Sequence, residues 1–271
     1  MKTLLIGTAL VDHLIYSATP LLKNACNKLP NQLRSGGSLR NIAHNLAVLG
    51  TPPTFLAVWG NDLMAQALRQ ELSELKVELS GPIIPLPTPV FTALSTPDDT
   101  LLISGITEDF LIKKDYPFPY QDYELVVTDR NDPALWKQIL TINNRMRFIT
   151  IGFLADKDFQ YALNGTIINR QEYEETFGCA DYSAAVVNPA SWLVVSLDQD
   201  GLFYRYQKDT AYQPNKQLVV QGYPIGCGDA LAAGLLHYLN QDLPFPLALN
   251  RAQELAELCF QTPGNVLSRE K

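Results

Sequence analysis

Long apolar runs are missing from this sequence. Stretches such as Leu231–Leu236, with Gly234 inside it, fall far short of the ~20 residues that a membrane-spanning helix needs. Histidine is scarce. His13, His44 and His237 are scattered, which argues against a histidine-based metal centre. The four cysteines, Cys26, Cys179, Cys227 and Cys259, fall at no metal-binding spacing. A chain of 271 residues needs no disulfides to hold a core, so they read as free thiols in a reducing, cytoplasmic setting. Basic charge is also in short supply: 21 Lys and Arg against 28 Asp and Glu leave a net charge of −7, which argues against non-specific nucleic-acid binding. Several familiar chemical motifs are absent. There is no Gly-x4-Gly-Lys-Ser/Thr loop, no Gly-x-Gly-x-x-Gly fingerprint, no protein-kinase catalytic loop and no Gly-x-Ser-x-Gly elbow. The opening Met1–Gly7 holds one basic residue and a short apolar run, then Asp12; it reads as a first core strand rather than a secretory signal.

What is present is an ordinary globular composition, 46% hydrophobic, in a length that suits one large α/β domain or two small ones. Apolar runs alternate with helix-period segments, the pattern of a mainly parallel sheet covered by helices. Strands are predicted at Thr3–Ile6, Thr54–Val58, Leu125–Thr128, Phe148–Ile151, Thr166–Ile168, Ala185–Val187 and Leu193–Ser196. Helices are predicted at Leu39–Leu49, Leu63–Leu75, Pro133–Leu140, Asp156–Ala162, Gln171–Phe177, Ala230–Leu239 and Leu247–Cys259. Residues 13–35 and 81–110 break the alternation with seven prolines and with short strand-like runs at Leu14–Tyr16, Phe91–Ser95 and Thr100–Ser104. They read as β-excursions from one edge of the main sheet or as long surface loops; loops of this length usually act as lids.

Three segments carry candidate chemistry. In Ser35-Gly36-Gly37-Ser38-Leu39-Arg40-Asn41, continuing to Asn45 and Gly50, Ser38 suits a helix N-cap and Gly50 its stop. Asn41 and Asn45 share a face near the helix start. Beside a Gly-Gly turn, two amides that both donate and accept suit a polyhydroxylated ligand, although a capped helix with two solvated asparagines has the same pattern. In Gly226-Cys227-Gly228-Asp229, two glycines lead into a helix, so backbone N–H groups and the helix dipole can converge on an anion. Asp229 in the first turn can take a proton from a hydroxyl brought there, or can simply cap the helix. In Asn169-Arg170-Gln171-Glu172, Asn169 and Glu172 can hold a hydrated Mg²⁺ through its waters, or can form a capping box.

Taken in this order, the three segments resemble the ribokinase/PfkB family of carbohydrate and nucleoside kinases. Gly36-Gly37 with Asn41 and Gly50 resembles one family signature, Gly226-Cys227-Gly228-Asp229 the other, and Asn169-x-x-Glu172 its magnesium and phosphate motif. Gly7-x4-Asp12, Gly60-Asn61-Asp62 and Val194–Gly201 are similar to further family positions, so the resemblance spans nearly the whole chain. Arg40-Asn41, Asn45, Asn169-Arg170-x-Glu172 and the segment Thr88–Asp109 look most like pseudouridine kinases. The resemblance implies a three-layer α/β fold in one domain, residues 1–271, with a small β-lid from about 13–35 and 81–110; the proline-interrupted strands of these segments would otherwise leave open edges, so the lid is expected to pair with a second copy. It implies transfer of the ATP γ-phosphoryl group to a hydroxyl of a sugar or nucleoside, with Asp229 as general base and the amides of Gly226, Cys227 and Gly228 on the transferring group. Asp12, Gly36, Gly37, Asn41 and Asn45 would hold the acceptor, with Arg40 near it or at its rim. Asn169, Ser196 and Gly201 would border the nucleotide, with adenine against the last long helix, and Asn169 and Glu172 would organise Mg²⁺. The sequence departs from the family at Tyr223-Pro224, which replace an Asp-Thr pair before the anion site, at Asp198, which replaces a glycine near the nucleotide, and at Ala65. A binding protein on the same fold that no longer transfers phosphate is the competing expectation.

Overall fold

The computed structural model describes the chain apart from residues 98–99, 130–132, 143–145, 153–163, 184–190, 217–223, 263–265 and 269–271. The predicted helix Asp156–Ala162, the predicted strand Ala185–Val187 and Tyr223 lie outside the described residues.

In chain order the elements are β1 (Thr3–Ile6), β2 (Leu10–Tyr16), β3 (Asn31–Gly36), α1 (Ser38–Val48), β4 (Thr54–Leu56), α2 (Leu63–Glu74), β5 (Glu78–Ser80), β6 (Val90–Ser95) and β7 (Thr100–Ser104). They continue with β8 (Leu125–Thr128), α3 (Pro133–Ile142), β9 (Arg147–Ile151), β10 (Gly165–Asn169), α4 (Arg170–Phe177) and β11 (Trp192–Ser196). The last are β12 (Leu202–Tyr206), β13 (Asp209–Gln213), α5 (Cys227–Asn240) and α6 (Phe245–Gln261). The main sheet has nine strands in the order β13-β12-β11-β10-β9-β8-β1-β4-β5. Every pair from β11 to β5 is parallel; β12 and β13 add an antiparallel ribbon at one edge.

Strand periodicity of two sends alternate residues to opposite faces, and here both faces are dry. Leu5, Phe55, Val127, Ile149, Ile167 and Val194 pack with α1, α2, α5 and α6 on one side. Leu4, Ile6, Leu56, Val126 and Phe148 meet Leu135, Trp136 and Ile139 of α3 on the other. Tyr173 of α4 packs on Ile168, Leu193 and Val195. These near-continuous apolar strands are why the parallel core was readable from sequence.

A second, four-stranded sheet has the order β3-β2-β6-β7. The segments 13–35 and 81–110 are therefore strand-bearing excursions rather than loops alone. β2 begins at Leu10, and β3 at Asn31–Gly36 had no strand pattern to announce it. Leu33, Leu101, Leu102 and Ile103 of this sheet are exposed. Asp62 caps α2 by accepting from Ala65 N and also accepts from Thr88 N at 2.7 Å, which ties the root of β6 to α2.

Candidate active site

The chain leaves β1 in two directions, to β4 and β5 on one side and to β8, β9 and β10 on the other. Such a switch point opens a crevice at the carboxyl ends of the strands. A cavity of about 410 Å³ lies there. Its walls come from strand ends, namely Asp129 after β8, Ile151 of β9 with Gly152 after it, Asn169 of β10 and Ser196 of β11, and from two helix starts, Ser38 of α1 and Gly228-Asp229 of α5. A second cavity, of about 240 Å³, adjoins it; Ser196 and Gly228 line both. Gly201, Pro224, Cys227 and Leu231 border the second cavity, and Gln253, Ala256 and Phe260 of α6 form its far wall. The sequence thus placed Asp229, Gly228, Asn169, Glu172 and Ser196 together, and the helix expected beside the nucleotide is α6.

Local backbone explains the two glycine turns. Gly226 is the N-cap of α5 with φ of +90°, and, being glycine, it offers no side-chain cap. Left-handed φ favours glycine. Cys227 N donates to Pro224 O at 3.3 Å, while the positive end of the helix lies where the cavities meet, since Gly228 lines both. At Gly228 a Cβ would meet nothing within 4 Å among the described residues. Among the described residues there is room for a side chain there, and the glycine leaves that space open. Gly201, by contrast, is demanded by the fold: its φ is +98° and a Cβ would strike Gln213 O at 2.2 Å.

At the start of α1, Gly37 is the N-cap, with φ of +99°. Ser38 is the first helical residue and not the cap that its type suggested; its hydroxyl instead bonds the Asp229 carboxylate. Gly36 makes room for Asp12, whose carboxylate lies 2.4 Å from where a Cβ would stand. Asn41 is 3% exposed, and its Nδ2 donates to Asp229 Oδ2 at 2.8 Å. Asp229 keeps an opening to the cavity but is otherwise surrounded by protein. Burial pushes its carboxyl up to about 7; Asp12 and Asp129 add to the rise, and the bonds from Asn41 and Ser38 oppose it. A group poised there can take up or release a proton near neutrality.

Two expected acceptor contacts point elsewhere. Arg40 is 0% exposed and is not a rim residue: its Nη2 lies 2.5 Å from Glu71 Oε1 and its Nη1 donates to Asn41 Oδ1 at 3.2 Å. Asn45 is also 0% exposed, and its Oδ1 accepts from Leu267 N at 2.8 Å, so it anchors the C-terminal segment. The helix turns both away from the crevice because they sit on the sides of α1 that meet α2 and the C-terminal segment. Asn169 and Glu172 form the capping box that their spacing allowed, with Glu172 Oε2 accepting from Asn169 N at 2.9 Å and Asn169 Oδ1 from Glu172 N at 2.8 Å. Both still line the larger cavity, where burial holds the Glu172 carboxyl above its ordinary value. Asp129 was missed by sequence reasoning, yet a signal existed: it is the first residue past a predicted parallel strand, on the side where such folds bind ligands.

No family model matches the sequence, and no curated protein matches it. Solved structures do. A ribokinase from Thermotoga maritima is similar with a TM-score of 0.81 at 15% identity, over 99% of this chain and 96% of that one. A ribokinase from Arabidopsis thaliana, complexed with ribose and ATP, gives 0.79 at 16% identity, over 97% and 93%. A nucleoside kinase from Burkholderia thailandensis, in complex with inosine, gives 0.74 at 16% identity, over 97% and 92%. The α/β architecture, with its mostly parallel sheet between helix layers, is the ribokinase fold.

Proposed function

We propose that this protein transfers the γ-phosphoryl group of ATP to a hydroxyl of a sugar or nucleoside, with Asp229 as general base. The observation that carries this reading is Asp229 itself. It is held by Asn41 at the glycine-led start of α5, where two cavities meet. The acceptor hydroxyl would lie between Asp12, Gly36, Gly37, Asn41 and Asp229. The Asp229 carboxylate accepts its proton as the oxygen attacks phosphorus, and the amides of Gly226, Cys227 and Gly228 stabilise charge on the transferring group. ATP would lie across Ser196 and Gly201 with its base on the apolar wall of α6.

The donor set suits a hydrated Mg²⁺. Among the described residues no three acidic, histidine or cysteine side chains converge on one metal position, whereas Asn169 and Glu172 offer oxygens to the cavity at its phosphate end. They would hold the ion through its waters, and the ion would neutralise phosphate charge. The second sheet would act as the lid that excludes water from the crevice, and its exposed Leu33, Leu101, Leu102 and Ile103 would pair with a second copy. Four free cysteines and use of ATP fit a cytoplasmic setting.

Ribose-like sugars and nucleosides, pseudouridine among them, are the favoured acceptors. Of the pseudouridine-like residues on α1, namely Arg40, Asn41 and Asn45, Asn41 is the one bonded to Asp229. One observation favours a binding protein without transfer: Asp198 and Glu257 line the nucleotide cavity and place negative charge where ATP brings more. A thermal-shift screen of sugars and nucleosides, with and without MgATP, followed by assays of ATP consumption, separates the two. A ligand at 100 times its Kd stabilises by about 2.7 kcal/mol. Stabilisation by an acceptor without ATP turnover would favour the binding protein.

A further inference from the structure

Arg40 is a fully buried cation that the proposed reaction does not use. It sits on α1 with Glu71 of α2 at 2.5 Å. Glu71 also accepts from the Ser35 hydroxyl of β3 at 2.6 Å, and His44 stands 3.4 Å from it. Burial would raise the Glu71 carboxyl, but His44, Arg40 and Ser35 together hold it down at about 2, so the pair is ionic at neutral pH. The other end of the guanidinium meets Asn41 Oδ1.

An arginine can only donate, and an amide has one oxygen side and one nitrogen side. With Arg40 on the oxygen side, the Asn41 Nδ2 group must face Asp229. Were the amide turned over, its oxygen would face the carboxylate and its NH₂ the guanidinium, two repulsive contacts in place of two attractive ones. We propose that Arg40, braced by Glu71, is a positioning residue for Asp229: it fixes the amide of Asn41 so that this amide donates to the carboxylate and holds it toward the crevice. This inference rests on the reading of Asp229 as the base.

The charges around Asp229 define the sign of the test. Asp12 of β2 and Asp129 after β8 face it as like charges, Arg40 of α1 as the opposite charge, and Asn41 and Ser38 of α1 as donors. Cys227 of α5 and Cys259 of α6 are the neighbouring thiols. Removing Arg40 takes away a cation that faces the carboxylate and frees the amide to turn, so the Asp229 carboxyl should titrate higher. If Arg40 only packs the fold, its loss loosens the site and admits water, and the carboxyl should titrate lower, toward its ordinary range.

The experiment is a carbon-13 NMR titration of aspartate carboxyls, with Asp229 assigned by its absence in Asp229→Asn. It compares the intact protein with Arg40→Met, Arg40→Gln and Arg40→Lys. The expected result is an upward shift of at least about one pH unit in Arg40→Met, with most of it reversed in Arg40→Lys, which keeps the charge and a donor. Arg40→Gln, whose amide can still bond Glu71, should show the same upward shift and serves where Arg40→Met fails to fold. An unchanged or lower titration in the folded neutral variants would overturn the proposal. The carboxyl is read without turnover, so failure of the kinase reading would appear separately, as an unaltered protein that phosphorylates no acceptor.

Discussion

Replacing Asp229 with Asn should make the protein more stable at pH 8 and scarcely change it at pH 4. The reason lies in the site. Burial beside Asp12 and Asp129 raises the Asp229 carboxyl from 3.8 to about 7 in the folded chain. A raised carboxyl favours the folded state while it is protonated in both states. That advantage is lost as pH rises from the unfolded value through the folded one, because the unfolded chain ionises first. The full difference of about three pH units corresponds to about 4 kcal/mol of destabilisation above pH 7, and about 0.5 kcal/mol at pH 4. Asn keeps the volume and can still accept from Asn41 Nδ2, so it removes the charge and little else. In a chain of this size the gain at pH 8 should raise Tm by on the order of 10 °C. The assay is thermal unfolding of both proteins at matched ionic strength from pH 4 to pH 8.5. A Tm difference that is flat with pH, or a variant less stable at pH 8, would refute the claim that this carboxylate is held ionised against its surroundings.

Further expectations follow from neighbouring residues. Gly228→Ala should fold and gain about 0.4–1 kcal/mol of stability, because no atom of the described residues opposes the methyl group, while losing roughly 10²-fold or more in kcat as the methyl enters the phosphoryl site; unchanged kinetics would mean that no ligand uses that space. Asn41→Ala should weaken acceptor binding by about 1–3 kcal/mol and also lower kcat, with ATP affinity unchanged by calorimetry; an equal loss of ATP affinity would place Asn41 elsewhere. Light scattering at micromolar concentration should give the mass of a dimer, and Leu102→Glu on the exposed sheet should return a monomer; a monomeric unaltered protein would remove the second sheet as an interface.

Much of this architecture could be read from the residues, for physical reasons that differ by element. The parallel strands β1, β8, β10 and β11 are buried on both faces, so their sequences are short apolar runs with clear ends. The ribbon β12–β13 escaped because its turn is Gln207-Lys208, with Gln207 at φ +57°, and carries none of the glycine or asparagine that marks such turns. The glycine-led start of α5 and the carboxylate after it were legible because backbone geometry and helix dipole are local properties. The directions of Arg40 and Asn45 were not. Spacing on a helix says which residues share a face, but only the packing of α2 and the C-terminal segment decides which face meets the crevice. Asp129 was invisible as a motif, because it joins Asp229 through the order of strands in the sheet rather than through neighbouring residues.

In the proposed reaction Asp229 takes a proton from an acceptor hydroxyl during transfer from ATP. The direct measurement is ADP release and phosphorylated product, by mass spectrometry, from a panel of pentoses, hexoses and nucleosides with MgATP, comparing the unaltered protein with Asp229→Asn. The expected result is product from a ribose-like or nucleoside acceptor, with kcat lowered roughly 10²–10⁴-fold in the variant, or about 3–5 kcal/mol of barrier. Product formed at equal rates by both proteins would contradict the assignment of the base, and no product from any acceptor with the unaltered protein would contradict the assignment of the reaction.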